Sequence, residues 1–256
     1  TGANNTACGR AALFANTTAN SGTAIGYLAL NANTTGAENT AVGSNSLVTN
    51  TTGTKNAALG AYSLRYNTTG DFNTAAGYQA LTANTTADDN TAFGYNTLQA
   101  NTTGSNNTAV GSQAGDAITT GSSNTAIGDR ALTTLTTGSS NTALGTQALN
   151  SVATSGENTA LGFQALMNHT ATGAVAVGKD AMRANTSGGQ NTAVGMDALT
   201  SNTTGAANVA IGYAAAINQN ANYSVVIGDR AVGSGSLTGD HNTFIGQAAG
   251  GAVTTS

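Results

Sequence analysis

One short alternation of polar and apolar residues recurs along the whole chain: Asn-Thr-Ala-apolar-Gly. The glycines that close it are Gly9, Gly26, Gly43, Gly60, Gly77, Gly94, Gly111, Gly128, Gly145, Gly162, Gly178, Gly195, Gly212, Gly228 and Gly246. The first nine intervals between them are 17 residues long, and the later ones vary from 16 to 18. A repeat at a fixed short period is typical of a solenoid, in which each unit packs against the next.

Each repeat is too short for two helices, and its glycines, asparagines and threonines are poor helix formers. The same residues suit short strands joined by tight turns. The sequence therefore predicts an all-β fold, a parallel β-solenoid (β-roll) of about fifteen 17-residue coils. The chain has no proline, which fits because proline would remove a ladder hydrogen bond from almost any coil. The repeat leaves no room for another domain, so residues 1–256 are expected to form one.

The residue before each closing glycine is apolar in every repeat. We predict that it faces the interior of the coil, together with the Thr two residues earlier, because side chains on a strand alternate between its faces. The predicted core ladder is Ile25, Val42, Leu59, Phe93, Val110, Ile127, Leu144, Leu161, Val194, Ile211, Ile227 and Ile245. Leu13, Leu30, Leu47, Leu64 and Leu81 are expected to close the interior from a second wall.

The residue between these two positions then points outwards, yet it is Ala in thirteen of the fifteen repeats. An exposed strand position would vary among polar residues, so we expect another chain to cover this face. The predicted subunit interface is Ala41, Ala92, Ala109, Ala126, Ala143, Ala160 and Ala193. The alternative is a narrow coil whose own wall requires alanine.

Two asparagine positions recur as well. The Asn that opens the motif is expected to hydrogen-bond along the stack, as aligned amides do. The second Asn begins Asn-Thr-Thr or Asn-Thr-Ser, which suits a turn but is also an acceptor sequence for N-glycosylation. Its positions are Asn16, Asn33, Asn50, Asn67, Asn84, Asn101, Asn185 and Asn202. The structural role is favoured, and glycosylation stays open.

Composition removes several classes of function. Only 7% of the residues are charged and the net charge is −4, so no cationic surface for nucleic acid is expected. No apolar run is long enough to insert into a membrane. His169 and His241 lie several coils apart, and Cys8 stands at the apolar position, where a small core residue is expected. We therefore predict no enzyme activity, no cofactor and no metal site.

Three strings carry a resemblance to a known family: Ala174-Val175-Ala176-Val177-Gly178, Tyr223-Ser224-Val225-Val226-Ile227-Gly228, and the Asn-Thr-Ala-Ile-Gly of 124–128. They resemble the head repeats of trimeric autotransporter adhesins, and similar repeats occur in phage and viral tail fibres. The resemblance implies a left-handed β-roll, a homotrimer, and a location outside the cell, on a cell surface or a virion. The chain opens in the middle of the pattern, so we expect it to be a segment of a longer fibre protein.

The predicted function is accordingly a structural and adhesive fibre segment that presents receptor-contact turns. The candidate contact residues, for a host-surface receptor or a glycan, are Tyr27, Tyr62, Tyr66, Tyr78 and Tyr95. The alternative is an ice-binding solenoid, because Thr-Thr pairs recur from Thr17-Thr18 to Thr203-Thr204 and would stack into regular rows.

Overall fold

The computed structural model describes residues 2–233, 237 and 239–251. It contains two compact units, residues 1–129 and 130–256. The expectation of one domain over residues 1–256 stays a prediction. Both units are built from three-residue strands about 17 residues apart, with no helix among the described residues. The prediction of an all-β parallel solenoid is confirmed.

The first unit contains eight strands. They are β1 (Thr6–Cys8), β2 (Thr23–Ile25), β3 (Thr40–Val42), β4 (Ala57–Leu59), β5 (Thr74–Ala76), β6 (Thr91–Phe93), β7 (Thr108–Val110) and β8 (Thr125–Ile127). Each pairs in parallel with the next, and equivalent residues of the repeat stand opposite each other, as Ala24 does to Ala41. The constant 17-residue period therefore sets the register.

The second unit contains seven strands. They are β9 (Thr142–Leu144), β10 (Thr159–Leu161), β11 (Val175–Val177), β12 (Thr192–Val194), β13 (Val209–Ile211), β14 (Val225–Ile227) and β15 (Thr243–Ile245). They pair in parallel in chain order with the same register, as Ala160 does with Ala176. The 16- and 18-residue repeats leave the strand alignment intact.

The wall that follows each strand is a turn rather than a second strand. In the third coil Asn45 and Leu47 have φ values of 55° and 48°, in the left-handed region that costs an L-residue roughly 1–2 kcal/mol. Leu47 is fully buried, and burial of a leucine side chain offsets that cost at roughly 1.5–3 kcal/mol. The Leu47 N–H donates to the carbonyl of Ser63 in the next coil, 3.0 Å away. The turns are thus tied from coil to coil as the strands are.

The closing glycine is required for two reasons, and Gly43 illustrates both. Its φ is 134°, a conformation that glycine adopts readily and other residues do not. A Cβ atom at Gly43 would also lie 2.5 Å from the carbonyl oxygen of Gly60 in the next coil. The coils approach so closely here that no side chain fits between them.

The predicted subunit interface is wrong, because the alanines between Thr and the apolar residue face the inside of their own coil. All seven are completely or almost completely buried within the single chain: Ala41, Ala92, Ala109, Ala126, Ala143, Ala160 and Ala193. The interior also contains Leu side chains and two rows of Asn, which leaves little space at the strand. This is the narrow coil that the sequence offered as the alternative.

The predicted core ladder is wrong for the same reason, since alternation along the strand turns its residues outwards. None of the twelve is buried: Ile25, Val42, Leu59, Phe93, Val110, Ile127, Leu144, Leu161, Val194, Ile211, Ile227 and Ile245. Ile25 is 41% exposed and Phe93 is 45% exposed. Cys8 occupies the same position at the first strand and is likewise exposed, so it is no core residue.

The leucine wall is confirmed, and Leu30, Leu47, Leu64 and Leu81 are completely buried. Leu13, at the first coil, is half-buried.

Both asparagine positions form buried hydrogen-bonded rows. Asn56 donates from its backbone N–H to Oδ1 of Asn39, 2.9 Å away, and from its side-chain amide to the carbonyl of Gly70, 2.8 Å away. At the second position, the side-chain amide of Asn50 donates to Oδ1 of Asn33, 2.8 Å away. The predicted amide stacking is confirmed, and it satisfies polar groups whose burial would otherwise be costly.

Candidate functional site

The outward side of the strands is the most unusual surface of the molecule. On each strand the residues on either side of the buried alanine point outwards. The residue before the alanine is mainly Thr and the residue after it is apolar, so these residues form two rows. The residue after each closing glycine adds a third row, which includes Tyr27, Tyr95, Phe163 and Tyr213. We call these three rows the apolar strip, and it is present on each of the two units.

The apolar strip collects most of the exposed large apolar side chains. In the described part of the chain, all of them except Phe14, Tyr66, Phe72 and Tyr223 lie on it. Its exposed members in the first unit are Ile25, Tyr27, Leu59, Tyr78, Phe93, Tyr95 and Val110. Those in the second unit are Leu144, Phe163, Val175, Val194, Met196, Ile211, Tyr213 and Ile245. Exposed apolar side chains gathered on one surface are more typical of interaction sites than of ordinary solvated faces.

The structure brings three of the five candidate tyrosines into direct contact. The ring centres of Tyr62 and Tyr78 are 5.8 Å apart with the planes nearly perpendicular, and those of Tyr78 and Tyr95 are 5.8 Å apart with the planes nearly parallel. Both arrangements are favourable for aromatic pairs. Tyr27 lies apart, with the guanidinium of Arg10 5.7 Å from its ring centre.

Tyr66 joins this group through a residue that the sequence analysis missed. The guanidinium carbon of Arg65 lies 5.2 Å from the ring centre of Tyr62 and 5.0 Å from that of Tyr66. A cation at this distance is attracted to the face of an aromatic ring. The available signal was the adjacency of Arg65 and Tyr66 in a chain with seven Lys and Arg residues in total.

The Thr-Thr pairs form a second regular surface. Each pair lies on the turn that directly follows the buried second Asn of the repeat. In the first unit, the hydroxyl of the first Thr donates to the backbone carbonyl of its equivalent in the next coil, over six successive steps. The second Thr of each pair is exposed: Thr18, Thr35, Thr52, Thr69, Thr86, Thr103 and Thr120. The pairs therefore make an ordered row of exposed threonines.

The candidate glycosylation sites lie inside the coil. Asn33, Asn50, Asn67, Asn84, Asn101, Asn185 and Asn202 are completely buried. Asn16, in the first coil, is half-buried and its amide donates to the carbonyl of Ala19. Since the buried amides are engaged in the folded chain, a glycosyl transferase cannot reach them there, and their role is structural.

One histidine interrupts the second asparagine row. His169 is completely buried, and the side-chain amide of Asn185 donates to its Nδ1, 3.1 Å away. Desolvation by burial lowers the pKa of His169 to about 4, against an opposing hydrogen bond with the backbone of Ala171. The ring is therefore neutral near pH 7.

The charged side chains of the described residues form ion pairs and no group that could hold a metal ion. Lys179 and Asp180 form an ion pair of 3.4 Å. Within the described ranges no three His, Cys, Asp or Glu residues are grouped so that they could hold a metal ion. Nor do the described residues include a helix long and apolar enough to cross a membrane.

No protein-family model matches this chain, and no curated protein matches it either. The likeness to adhesin heads and tail fibres, with the left-handed winding that it implies, stays a prediction.

Proposed function

We propose that this chain is a structural and adhesive segment of a fibre, and that it associates with copies of itself through the apolar strip. The observation that carries the proposal is the concentration of exposed apolar side chains on that one surface. Water contact with these side chains is unfavourable, and association removes it. The proposal assigns the chain no catalytic role.

A second copy of the chain is the occupant that fits the strip best. Every coil presents its Thr, apolar and following residue at the same spacing, because the strands are aligned residue for residue. Two such strips on identical chains have the same period, so their rows stay aligned over many coils. The two rows on the strands carry no charge, which lowers the desolvation cost of covering them. The charged members of the strip, Arg10, Asp129, Lys179 and Asp229, all lie in its third row.

The number of copies and the location rest on the resemblance of the repeats to adhesin heads and tail fibres. That resemblance favours a trimer and a place outside the cell, on a cell surface or a virion. A fibre role also suits a chain in which every described strand adds one more coil of about 4.8 Å. The repeat gives length, and the residues outside the strip are then available to a host-surface receptor.

Light scattering tests the assembly. The wild-type chain is expected to have about three times its own mass of 24.9 kDa. Combining Phe93→Lys, Val110→Lys and Ile127→Lys places three charges on the strip of the first unit and is expected to reduce that mass. The matched control, Thr69→Lys with Thr86→Lys and Thr103→Lys, adds the same charge on the exposed turns and is expected to leave the mass unchanged. A wild-type particle of 24.9 kDa would overturn the proposal.

Ice binding is the second candidate function, and the ordered row of Thr-Thr pairs favours it. The hydroxyl of the first Thr of each pair donates to the backbone of the next coil, as Thr34 does to Thr51 at 2.9 Å. The second, exposed Thr of each pair therefore repeats along the stack at a spacing of about 4.8 Å. Such a row could order water into a lattice. In an ice-recrystallisation assay, this function requires inhibition by the wild type and loss of inhibition in the turn variant, with the strip variant still active. A fibre segment without ice binding gives no inhibition in any of the three.

A further inference from the structure

The first unit has a cluster of one cation and four tyrosines, of which Tyr62, Arg65 and Tyr66 lie outside the apolar strip, whereas Tyr78 and Tyr95 belong to it. We call it the Arg65 cluster: Tyr62, Arg65, Tyr66, Tyr78 and Tyr95. The guanidinium carbon of Arg65 lies 5.2 Å from the ring centre of Tyr62 and 5.0 Å from that of Tyr66. The N–H donors of a guanidinium lie in its own plane, in a fixed fork geometry.

The charge of Arg65 has no acidic partner among the described residues. Its Nε is buried, and no hydrogen bond to it is formed within the described chain. The residues at the same position of the coils before and after are Val48 and Thr82, both uncharged. A positive charge held in place without a counter-charge is a site for an anion from outside the chain.

The acid in the same coil is committed elsewhere. Oδ1 of Asp71 accepts hydrogen bonds from the backbone N–H of Thr54, 2.6 Å away, and from its hydroxyl, 3.0 Å away. Asp71 follows the Asn-Thr-Thr-Gly turn, whereas Arg65 precedes it. The carboxylate of Asp71 therefore serves the turn and leaves the guanidinium without a partner.

The tyrosines extend the cluster along the stack of coils. Tyr62 contacts Tyr78, and Tyr78 contacts Tyr95. The position after Tyr95 in the next coil is Ser112, which is small and exposed, so the aromatic row ends there. Tyr95 is 52% exposed. Arg65 and Tyr95 are two coils apart, roughly 10 Å along the stack at the usual strand spacing.

We propose that the Arg65 cluster binds an acidic saccharide, a short glycan with a carboxylate on one of its sugar rings. The guanidinium edge would bind the carboxylate through two parallel hydrogen bonds, the strongest geometry for this pair. The tyrosines supply apolar ring surface for the C–H faces of sugars and hydroxyl groups for their polar edges. The charged sugar would bind at Tyr62, Arg65 and Tyr66, the part of the cluster that lies outside the apolar strip. The inference rests on the proposed adhesive role, whose ligand it names.

Surface plasmon resonance on immobilised glycans tests this directly. The probes are 3′-sialyllactose and a glucuronate-containing hyaluronan tetrasaccharide, with lactose as the neutral match of the first. The wild-type chain is expected to bind at least one acidic probe and to bind lactose roughly tenfold more weakly or not at all, because the charge-assisted contact is missing. Arg65→Gln is expected to lower binding to the acidic probe to the level of lactose. Tyr66→Ala is expected to weaken binding to the acidic probe and to lactose alike.

The matched control is Arg10→Gln, which removes an equal charge from another arginine that stacks on a single tyrosine, Tyr27. It is expected to leave binding unchanged. Equal losses in the Arg65 and Arg10 variants would indicate a general charge effect and overturn the site, as would absence of binding to both acidic probes. Light scattering on the same samples separates the two proposals, since failure of glycan binding with the assembly intact leaves the fibre role standing.

Discussion

The side-chain amide of Asn67 donates a hydrogen bond to Oδ1 of Asn50, 2.8 Å away, in the closed interior of the first unit. The same amide also donates to the carbonyl of Gly70, 3.0 Å away. Asn84 then donates to Oδ1 of Asn67, 2.7 Å away. Each amide thus satisfies its own coil and its neighbour, and the row links successive coils beside the buried leucines.

Asn67→Leu is expected to break this row at one step. It leaves Oδ1 of Asn50 without its donor, whereas the carbonyl of Gly70 keeps the side-chain amide of Asn56, and an unpaired buried group costs about 1–3 kcal/mol. Urea unfolding followed by circular dichroism is expected to show a loss of that order. The control Thr69→Val changes an exposed turn residue in the same coil and should alter stability little. Equal stability of Asn67→Leu and wild type would mean that the amide row contributes nothing.

Because the strand alanines lie inside the coil and not at a subunit interface, substitutions there are expected to change stability and not assembly. Ala109→Leu is expected to overpack the interior and to lower stability by about 1–3 kcal/mol, without altering the mass of the assembly. Val110→Leu, one residue later on the exposed side, is expected to be tolerated. Thermal unfolding and light scattering on the two variants check this, and a destabilised Val110 variant beside a stable Ala109 variant would reverse the assignment of faces.

The closing glycines differ in how closely the next coil approaches them. Comparing two of them therefore separates the effect of a steric clash from that of backbone strain. Gly60 has a φ of 133°, and a Cβ there would lie 2.5 Å from the carbonyl oxygen of Gly77. Gly246 has a φ of 123° but nothing within 4 Å of its Cβ position. Gly246→Ala is expected to cost about 1–3 kcal/mol through backbone strain alone, and Gly60→Ala substantially more. Similar losses, measured by urea unfolding, would show that backbone strain dominates at both sites.

His169 is expected to make stability depend on pH. Its pKa is lowered to about 4 by burial, so the unfolded chain, with an ordinary pKa of 6.5, binds the proton more readily than the folded one. Stability is therefore full above pH 6.5 and falls as the pH drops towards 4, by about 1.4 kcal/mol for each pH unit in that window, or roughly 3 kcal/mol in all.

His169→Asn supplies the control, because Asn occupies this position at Asn185 and Asn202 and can accept the amide hydrogen bond of Asn185. In urea unfolding at pH 7.5 and pH 4, the variant should lose the part of the pH dependence that belongs to His169. An unchanged pH dependence in the variant would show that the buried imidazole does not titrate in this range.

Much of this fold follows from local sequence. The 17-residue spacing of glycines such as Gly43 and Gly60 determines the number of coils and the register, because equivalent residues must stack when the period is constant. The buried position of Leu47 and the stacking of the motif asparagines, such as Asn39, are also predicted from the sequence, since a recurrent large apolar residue and a recurrent amide both need partners that only a stack supplies. The burial of Asn50 is not predicted, because its Asn-Thr-Thr triplet is interpreted as a turn.

The sequence left open which side of each strand lies inside. Thr40, Ala41 and Val42 alternate, and alternation gives two faces without saying which is covered. Hydrophobicity favours Val42, and the structure buries Ala41 instead, because leucines and two rows of amides already occupy the interior and leave room for a methyl group. The volume inside the coil is set by how the complete coil closes, so the sequence of a single strand does not reveal it.

The Arg65 cluster depended on tertiary structure in the same way. The neighbours Arg65 and Tyr66 are visible in the sequence, but the approach of Tyr62 to the guanidinium depends on how the turn between them folds. The contact from Tyr78 to Tyr95 joins residues 17 positions apart and exists only because the coils stack. The period of the sequence determined that the coils stack. The way in which each coil closes determined which side chains are buried and which are exposed.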